Sequence, residues 1–598
     1  MTHPLSRRDF LHLTVVSAAA AGATGPLSGC GDGGSDGDDG FTPEDTLRVF
    51  PQGVASGDPG TGSVILWTRV ETGDEQRGDD VDVMLEVALD EAFEMVVASD
   101  MLTAASAADH TVRVKVTDLE PFTKYHYRFE ALSVGSDVGQ TKTAPEADAD
   151  QGVRFAFASC QDYIGRRFHA YRALTELEDP VDFVVHLGDY IYETDGDPMF
   201  QTPDGEREIE LPDGLDVGDE MGTTKAAQTL ADYRALYKQY RSDPDLKRAH
   251  QLYPFICVWD DHEFANDSWQ DHSTHFSDAM GDEQETEQRE VANQAWFEFQ
   301  PADVEYDEAA GYPDDIRIYR NLRFGKHMEL VMTDLRYYRS DHVVPEGPID
   351  SSLAKLTENT SVGSRIFVPK PGFDPLEAAS GVSMLGETQK AWLLDTLKAS
   401  DATWKVWGSE VQTAQMSVDL SSFEMLPDMY RDLFYLNTDQ WDGYRSERAE
   451  VFTELQSAGV ENLVTIVGDI HAFYASELHP DFDAPGDVPI GVEFTTAGIS
   501  SQAIKSSVQG VVDTNPTFQA VGLGELVPRF DELLQLGSPH YKYLDSEANG
   551  IAVADVSAER IDITFIAVGD VRSAEFDEDA VTRAQLRVEA GTSTIEVL

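Results

Sequence analysis

The sequence predicts an α/β catalytic region that follows a smaller all-β region. Residues 48–145 hold short alternating or apolar runs separated by Gly, Asp and Pro, which is the pattern of β-strands joined by turns. From residue 153, apolar runs alternate with helix-like segments such as TTKAAQTLADYRALYKQYR and TQKAWLLDTLKAS, as in α/β folds. A chain of 598 residues is also too long for one ordinary core, so we expect two or more domains.

The start of the chain carries the features of an export signal. Arg7 and Arg8 precede an apolar run that is too short, and too broken by Gly and Pro, to span a membrane stably. The stretch SRRDFL resembles the twin-arginine motif S-R-R-x-F-L, and LSGC resembles a bacterial lipobox that ends at Cys30. We predict a signal peptide over 1–29, passage through the twin-arginine translocation machinery, and a periplasmic or cell-surface protein that is anchored to a membrane only through a lipid on Cys30. A disordered start with a chance Arg pair is the alternative.

Residues 30–47 are predicted to form a flexible acidic linker, because GDGGSDGDDGFTPED is rich in Gly and Asp. The whole chain is strongly acidic, with a formal net charge of −65. Such a surface repels nucleic acid, and no local basic patch is evident. The acidity fits a solvated surface that aids solubility, adaptation to high salt, or cation storage, and composition does not separate these readings.

The first folded region, residues 48–147, is predicted to be a small β-sandwich. Its strand candidates are GSVILWTRV, VDVMLEVAL, HTVRVKV and KYHYRFEAL. In DLEPFTKYHYRF, Pro121 and Tyr125 are placed as in a fibronectin- or Ig-like sandwich, in which a Tyr caps the corner before a strand. Catalytic residue types do not cluster here, so we assign the chemistry to a catalytic domain over 151–598.

The strands of this catalytic domain end in residue types that bind metals and anions. In α/β sheets, ligands bind beyond the carboxyl ends of the strands. The endings are VRFAFASC (Cys160), DFVVHLGD (Asp189), LYPFICVWDDHE (Asp260, Asp261, His262), MELVMTDLRYYR (Asp334, Arg336), TWKVWGSE (Glu410) and ENLVTIVGDIH (Asp469, His471). We therefore expect these side chains to meet at one edge.

Carboxylate and imidazole groups can hold two neighbouring cations with one Asp bridging them. The candidate ligands are Asp189, Tyr192, Asp261, Asp469 and His471, with Cys160 as an open candidate. A cation pair clamps an oxyanion ester and lowers the pKa of a bound water, which is the chemistry of phosphoryl transfer.

Three of these motifs carry a family resemblance. GDYIY resembles the G-D-x-x-Y motif of the purple-acid-phosphatase-like metallophosphoesterases, while WDDHE and GDIH stand in the places of their G-N-H-E and G-H-x-H motifs. More closely, the chain resembles PhoD-type alkaline phosphatases over roughly residues 50–570. The matching stretches are GVASGDP, VILWTRV, FASCQDY, HLGDYIYE, DYRALYKQYRSDPDL, VWDDHEFANDSW, DLRYYRSD, DQWDGYRSER, VGDIHAF and EFTTAGISS.

This resemblance implies a catalytic domain of two mixed β-sheets flanked by helices, with a ferric ion (Fe3+) and calcium (Ca2+) side by side. The implied iron ligands are Cys160, Asp189, Tyr192 and His471. Asp189 would bridge to calcium, which Asp261 and Asp469 would also bind, with Asp260 replacing Asp261 if the register of WDDHE is shifted by one. Thiolate and phenolate are strong anionic donors that favour Fe3+, and carboxylate oxygens suit Ca2+.

Two further residues are assigned catalytic roles with alternatives. His262 would lie near the phosphate and donate to it or to the leaving group, or it would be a structural donor. Arg336 would pair with phosphate oxygens in bidentate fashion, or it would bind a neighbouring carboxylate. After ATWKVWG the family commonly has Asn-Gln, and here Ser409-Glu410 follows, so that Glu410 would either add charge to the site or face solvent.

Cys160 has three readings: a metal ligand, a buried thiol, or half of a disulfide with Cys257. Cys257 lies inside the apolar run PFICVW, which favours a packing role for its side chain.

Other catalytic routes are not supported. The sequence has no G-x-S-x-G elbow and no H-E-x-x-H, and HYKYLDSE lacks the last Asp of the H-x-K-x4-D motif of one phospholipase D class. We predict an exported alkaline phosphatase or phosphodiesterase that hydrolyses small-molecule phosphate mono- or diesters with a binuclear metal-activated water or hydroxide. Phospholipase D-like activity is a further option within this class. The hypothesis from another class is a non-catalytic, calcium-binding surface lipoprotein.

Overall fold

A computed structural model describes residues 42–73, 77–197, 201–217, 224–273, 283–344, 365–484, 488–514 and 516–598. The predicted signal peptide, with Arg7, Arg8 and Cys30, lies outside the described residues, as does most of the predicted linker. Within the described residues, no helix is both long enough and apolar enough to cross a bilayer.

The predicted fold class is confirmed: helices flank two large mixed β-sheets, and the N-terminal region is all-β apart from short helical turns. The first large sheet has ten strands. In spatial order they are Glu596–Val597, Thr582–Glu589, Arg560–Val568, Asn549–Val556, Val153–Ala158, Phe183–Leu187, Pro254–Val258, Val54–Gly57, Val64–Arg69 and Thr111–Val116.

The second large sheet has seven strands, and its middle strands are parallel. In spatial order they are Arg320–Phe324, Met328–Met332, Trp404–Ser409, Leu463–Val467, Gly491–Thr495, Phe473–Leu478 and Tyr541–Asp545. A three-stranded sheet lies beside it, with Leu433–Asn437 between Ile366–Pro369 and Ser417–Asp419. Two short pairs complete the set: Leu215–Asp216 with Lys225–Ala226, and His272–Ser273 with Glu283–Gln284.

The helices pack against the sheets, and the apolar residues that recur at helical spacing in the sequence form their buried faces. They are Pro43–Val49, His169–Thr175, Leu230–Tyr240, Pro244–Leu252, Thr286–Phe299, Lys370–Ser380, Gly386–Ala399, Arg445–Ser457, Ile504–Thr514, Pro516–Val521 and Phe530–Gly537. Local sequence defines several starts: Thr229 and Asp232 form a capping box at Leu230–Tyr240, and Asp243 caps Pro244–Leu252.

The carboxyl ends of the two large sheets meet at one place. In the first sheet Val153–Ala158, Phe183–Leu187 and Pro254–Val258 run parallel, and in the second sheet Trp404–Ser409 and Leu463–Val467 do. A parallel bridge between Ser159 and Gly498 joins the two edges. The strand ends that carry Cys160, Asp189, Asp261 and Asp469 therefore meet at a shared cleft, as expected for α/β sheets.

Glycine permits the close approach of the two sheets. A Cβ added to Gly408 would lie 3.4 Å from the Leu187 side chain and 2.5 Å from the Met332 sulfur. A Cβ added to Gly468 would lie 2.7 Å from the Cβ of Ser159. A larger residue at position 468 would push the two sheets apart, whereas one at position 408 would first clash with Met332 on the neighbouring strand of its own sheet.

The N-terminal region contributes a five-stranded sheet of its own and also extends the catalytic sheet. Its own sheet has Val96–Ala104, Val81–Ala88, Lys124–Ala131, Val134–Gly135 and Gly139–Lys142. The predicted corner is present, since the Tyr125 hydroxyl accepts a hydrogen bond of 2.8 Å from the backbone N–H of Glu120. The strand Val54–Gly57, however, pairs in parallel with Pro254–Val258. One layer of the predicted sandwich is thus continuous with the first large sheet, while the domain boundaries at 147 and 151 stay a prediction.

Candidate metal centre

The candidate ligands lie in the first residues after the central strands, and several adopt an unusual backbone conformation. Cys160, Asp189, Asp469 and His471 have φ angles of 58°, 55°, 61° and 57°. The left-handed region costs a non-glycine residue roughly 1–2 kcal/mol, and such residues concentrate at functional sites. The turns after three strands are therefore strained in a way that directs these side chains into the cleft.

One group of donors brings together the four residues that the family resemblance assigns to iron. Donor atoms of Cys160, Asp189 and His471 lie within 4.8 Å of one another. The Tyr192 hydroxyl joins them at 3.2 Å from Asp189 Oδ2 and 3.3 Å from His471 Nε2. His471 Nδ1 lies 2.8 Å from the carbonyl oxygen of Gln502, to which it can donate, leaving Nε2 free for the cluster.

The second group consists of carboxylates. Donor atoms of Asp189, Asp260, Asp261 and Asp469 lie within 4.8 Å of one another, so Asp189 belongs to both groups. A third combination, Asp189 with Asp261 and His262, meets the same limit. The shared position of Asp189 is what a carboxylate bridge between two neighbouring cations requires.

The buried carboxylates have acceptor atoms that the protein leaves without partners. Among the described residues, Asp189 Oδ1 and Asp260 Oδ2 are buried and accept no hydrogen bond. Burial and then the neighbouring carboxylates raise the pKa of Asp469 well above its usual range, and burial is also the main cause of the raised pKa of Asp189. Unpaired buried carboxylates are costly, so this arrangement fits bound cations.

The Cys160 thiol and the Tyr192 phenol also require positive charge nearby if they are to act as ligands. Burial, followed by the carboxylate of Asp189, raises the pKa of both groups well above their ordinary values. Metal ligation needs the thiolate and the phenolate, so the bound cation must supply the stabilising charge. By contrast, burial lowers the pKa of His471 to about 4, which keeps its imidazole neutral and ready to coordinate.

Arg336 is completely buried, and its guanidinium bonds to the carboxylates of the site. Nε donates to Asp260, and Nη1 donates to Asp439 Oδ2 at 2.8 Å. Nη2 lies 3.5 Å from both Asp469 Oδ1 and Asp261 Oδ1. The structure thus places Arg336 on neighbouring carboxylates, which is the alternative weighed for it, and its predicted contact with phosphate stays a prediction.

His262 is held by an acid that the sequence analysis did not assign. Its Nδ1 lies 2.6 Å from Glu193 Oε2, and its ring is 4.1 Å from the Tyr192 ring. Burial lowers the pKa of His262, but the carboxylates of Glu193, Asp189 and Asp261 outweigh burial and raise it overall. The role of His262 toward phosphate or leaving group stays a prediction.

Glu263 fastens two of the ligand loops together. Its carboxylate accepts backbone N–H groups from Asp189 at 3.1 Å, Tyr190 at 2.5 Å and Asp260 at 2.7 Å. The two loops that carry Asp189 and Asp261 therefore share one buried acceptor. The signal was present in the sequence, because Glu263 ends the motif WDDHE, but Asp189 and Tyr190, two of its three backbone partners, lie more than seventy residues away.

Three other supporting residues come from stretches without a strand-end pattern. Asp439 accepts from Arg336 and from Arg339 Nη2 at 2.6 Å, and Gln440 Nε2 donates to Asp469 Oδ2 at 2.5 Å. Ser501 Oγ lies 2.7 Å from the Tyr192 hydroxyl. Their motifs, DQWDGYRSER and EFTTAGISS, were recognisable only as parts of the family resemblance.

Two open alternatives are resolved. Cys160 and Cys257 are both buried and free, so the disulfide alternative is wrong. Glu410 is fully buried, so the alternative that it faces solvent is also wrong. Its Oε1 has no hydrogen-bond partner among the described residues, and burial, followed by Asp334 and Asp260, raises its pKa well above the usual range.

Comparison with known proteins agrees with this geometry. The family model of PhoD-like phosphatases matches residues 155–565, and the model of the N-terminal domain of PhoD-like phosphatases matches residues 39–145. Alkaline phosphatase D of Bacillus subtilis (strain 168) is 32% identical over 467 residues, which cover 76% of this chain and 69% of that protein. A solved structure of PhoD superposes with a TM-score of 0.71 at 26% identity and covers 92% of each chain.

The close approach of Gly188 to Asp260 leads to a testable prediction about the site. An alanine Cβ here would lie 2.4 Å from the Asp260 Cβ and 2.6 Å from its backbone nitrogen, at a φ of +102°. We expect Gly188→Ala to lower the free energy of unfolding by about 3 kcal/mol, from backbone strain and overpacking combined, and to lower metal content. Urea unfolding and metal analysis of the purified protein measure both effects.

Gly459→Ala is the matched control for that variant. Gly459 has a φ of +71°, but a Cβ there would meet no heavy atom of the described residues within 4 Å. Gly459→Ala should lower the free energy of unfolding by only about 1 kcal/mol, from backbone strain alone, and leave metal content unchanged. Equal losses of stability and metal in the two variants would contradict the proposed contact with the Asp260 loop.

Proposed function

The chain belongs to the family of PhoD-like phosphatases, and on this basis we propose that it is an exported alkaline phosphatase or phosphodiesterase with a binuclear metal centre. Family membership makes it a phosphoric ester hydrolase. The observation that carries the proposal is Asp189, which lies in both donor groups of the cleft. Nothing in the comparisons supports the alternative of a non-catalytic calcium-binding lipoprotein.

We assign Fe3+ to the first donor group and Ca2+ to the second. Cys160, Tyr192 and His471 offer sulfur, phenol oxygen and imidazole nitrogen, a set suited to a trivalent transition metal. Asp261 and Asp469 offer only carboxylate oxygens, which suit a hard divalent cation. When bound, such a pair supplies Lewis acidity toward the phosphoryl oxygens and lowers the pKa of a water.

The residues of the chain have three tasks in this mechanism. Asp189, Asp261, Asp469 and the iron-side ligands hold the cations close to one another and close to the phosphate. Arg336 fixes the carboxylates of the calcium side, because all of its nitrogens face acids of the site. Burial excludes bulk water from the cleft and thereby strengthens each electrostatic contact with the developing charge of the transition state.

His262 is proposed to donate a proton to the phosphate or to the leaving oxygen. The 2.6 Å contact between its Nδ1 and Glu193 orients the ring and directs Nε2 away from that acid. Its donor set with Asp189 and Asp261 places the imidazole at the metal cluster rather than in a separate pocket. A general acid must be within hydrogen-bond reach of the reacting group, and a phosphoryl group held at the metal cluster would bring its oxygens close to His262.

The experiment that tests the proposed function is hydrolysis of p-nitrophenyl phosphate and bis-p-nitrophenyl phosphate at alkaline pH, with iron and calcium present. We expect turnover of at least one ester, and the ratio of the two rates distinguishes monoesterase from diesterase preference. A fully metallated protein that hydrolyses neither compound would contradict the proposed function.

Tyr192→Phe tests the iron assignment through colour. A phenolate bound to Fe3+ absorbs visible light, so the metallated protein should show a charge-transfer band that Tyr192→Phe removes together with most of the activity. The matched control is Tyr190→Phe, because the Tyr190 phenol is buried against His250 Nε2 at 2.8 Å and Arg241 Nη1 at 3.0 Å. A colourless wild-type protein that contains zinc would overturn the assignment of Tyr192 and Cys160.

Glu193→Gln tests the orientation of His262. The amide keeps the volume of the acid but removes its charge, so we expect kcat to fall by about 10- to 100-fold while iron and calcium content stay unchanged. A matched control is Glu532→Gln, which removes the charge of an exposed carboxylate that pairs with Arg529. Unchanged kcat in Glu193→Gln would show that the contact with His262 is only structural.

The proposed export is tested by the signal residues. Changing Arg7 and Arg8 together to Lys should keep the protein in the cytoplasm, because the twin-arginine pathway reads the guanidinium pair. Cys30→Ala should leave export intact and release the protein from membranes. Fractionation with antibody detection measures both, and membrane-bound Cys30→Ala protein would contradict lipid anchoring at this residue.

A further inference from the structure

An apolar cavity of about 210 Å3 opens directly beside the metal centre. Asp469 and His471 form part of its lining, and nearly all other lining residues are apolar. The apolar lining includes Val508, Leu523 and Phe530. The apolar cavity therefore shares two candidate metal ligands with the catalytic cleft.

More than half of the residues that line the apolar cavity belong to the segment 504–537, and the rest of its apolar wall comes from the three-stranded sheet and residues close to it. Ile504, Val508, Val511 and Val512 repeat at the spacing of one helix face within Ile504–Thr514, and all of them line the cavity. Val508 and Val511 remain half-buried although they face inward. A helix face of this kind normally packs against a core, and here part of it borders open volume.

The position of the apolar cavity beside the metal ligands identifies what fits it. A phosphoryl group held by the metal centre lies next to Asp469 and His471, so an ester substituent that extends past these residues enters apolar space. An apolar cavity of roughly 150 Å3 already accommodates benzene, so a volume of about 210 Å3 holds one ring or one short alkyl chain. It does not hold the paired acyl chains of a phospholipid.

We propose that this cavity binds the organic substituent of the substrate, and that the preferred substrates are phosphate esters with a single aryl or short alkyl group. The proposal rests on the proposed function, because it takes the phosphoryl group to be held at the metal centre. It assigns specificity to residues that do not coordinate metal. A polar substituent such as a sugar would leave its hydroxyl groups unpaired against this wall.

Alkylphosphonates provide the test, because their carbon–phosphorus bond is not hydrolysed. Methyl-, butyl- and hexylphosphonate are compared as inhibitors of p-nitrophenyl phosphate hydrolysis. They share the phosphonate group, so the differences between their inhibition constants report binding of the alkyl group alone. Full burial of a methylene group gives at most about a fourfold gain in affinity. We expect butylphosphonate to inhibit at least tenfold more tightly than methylphosphonate, and a series without dependence on chain length would overturn the proposal.

Val508→Trp fills the apolar cavity without touching a candidate ligand. It should leave inhibition by methylphosphonate within about twofold of wild type and abolish the gain from longer chains. Leu536→Trp is the matched control, since Leu536 is 57% exposed on the helix Phe530–Gly537. This variant should keep the gain in affinity from methyl- to hexylphosphonate. The same chain-length gain in Val508→Trp as in wild type would refute the assignment of this cavity.

A second variant covers the case in which Val508→Trp does not fold. Leu523→Ala enlarges the cavity and should improve binding of hexylphosphonate relative to butylphosphonate. Binding is also read without turnover, because hexylphosphonate should raise the Tm of the wild-type protein more than methylphosphonate does. If no ester is hydrolysed but this difference in Tm is present, the proposed function fails and the cavity assignment stands; equal shifts in Tm reject the cavity assignment.

Discussion

The site depends on the contacts between the buried Arg336 guanidinium and several buried acids. The Arg336 guanidinium has no exposed surface, and it bonds to Asp260 at the end of one sheet and to Asp439 and Asp469 beside the other. Removing a carboxylate from water costs several kcal/mol, and a single guanidinium cannot offset all of them. Asp189 keeps a buried oxygen that has no hydrogen-bond partner among the described residues. The fold therefore gathers more buried carboxylates around the cleft than Arg336 can pair with, and this arrangement suits the cleft to binding cations.

Strain in the backbone adds to this cost. Cys160, Asp189, Asp469 and His471 all have φ angles near +60°, a region that disfavours side chains. Together with the buried acids, these turns reduce stability in the absence of metal. Stability must come from elsewhere, chiefly from the apolar core that both large sheets share. Metal binding then stabilises the folded chain further, because the ligand set does not exist in an unfolded chain.

Much of this organisation could be predicted from the sequence because strand ends are local features. A run such as DFVVHLGD shows both the buried strand and the acid that follows it, and parallel strands of a sheet deliver such acids to one edge. The uncertain register of WDDHE mattered little, since Asp260 and Asp261 both lie in the carboxylate group. The features that could not be predicted are contacts between residues far apart in the chain. The partners of Arg336, the contact between Glu193 and His262, and the sheet that the N-terminal region shares with the catalytic domain all depend on residues far apart in the chain. The apolar cavity was also missed, because the helix face of segment 504–537 has the same periodicity as a face that packs in a core.

The apolar cavity and the metal centre meet at the short loop that carries Asp469 and His471. A change at these two residues would alter cation binding and the mouth of the cavity together, so substrate range cannot vary there without loss of chemistry. The part of the wall that segment 504–537 forms has no such constraint, because none of its cavity-lining residues belongs to the candidate ligand groups. Enzymes commonly diversify through segments that a rigid catalytic scaffold presents to the substrate. Segment 504–537 is therefore where differences in ester preference among chains with the same metal ligands should arise.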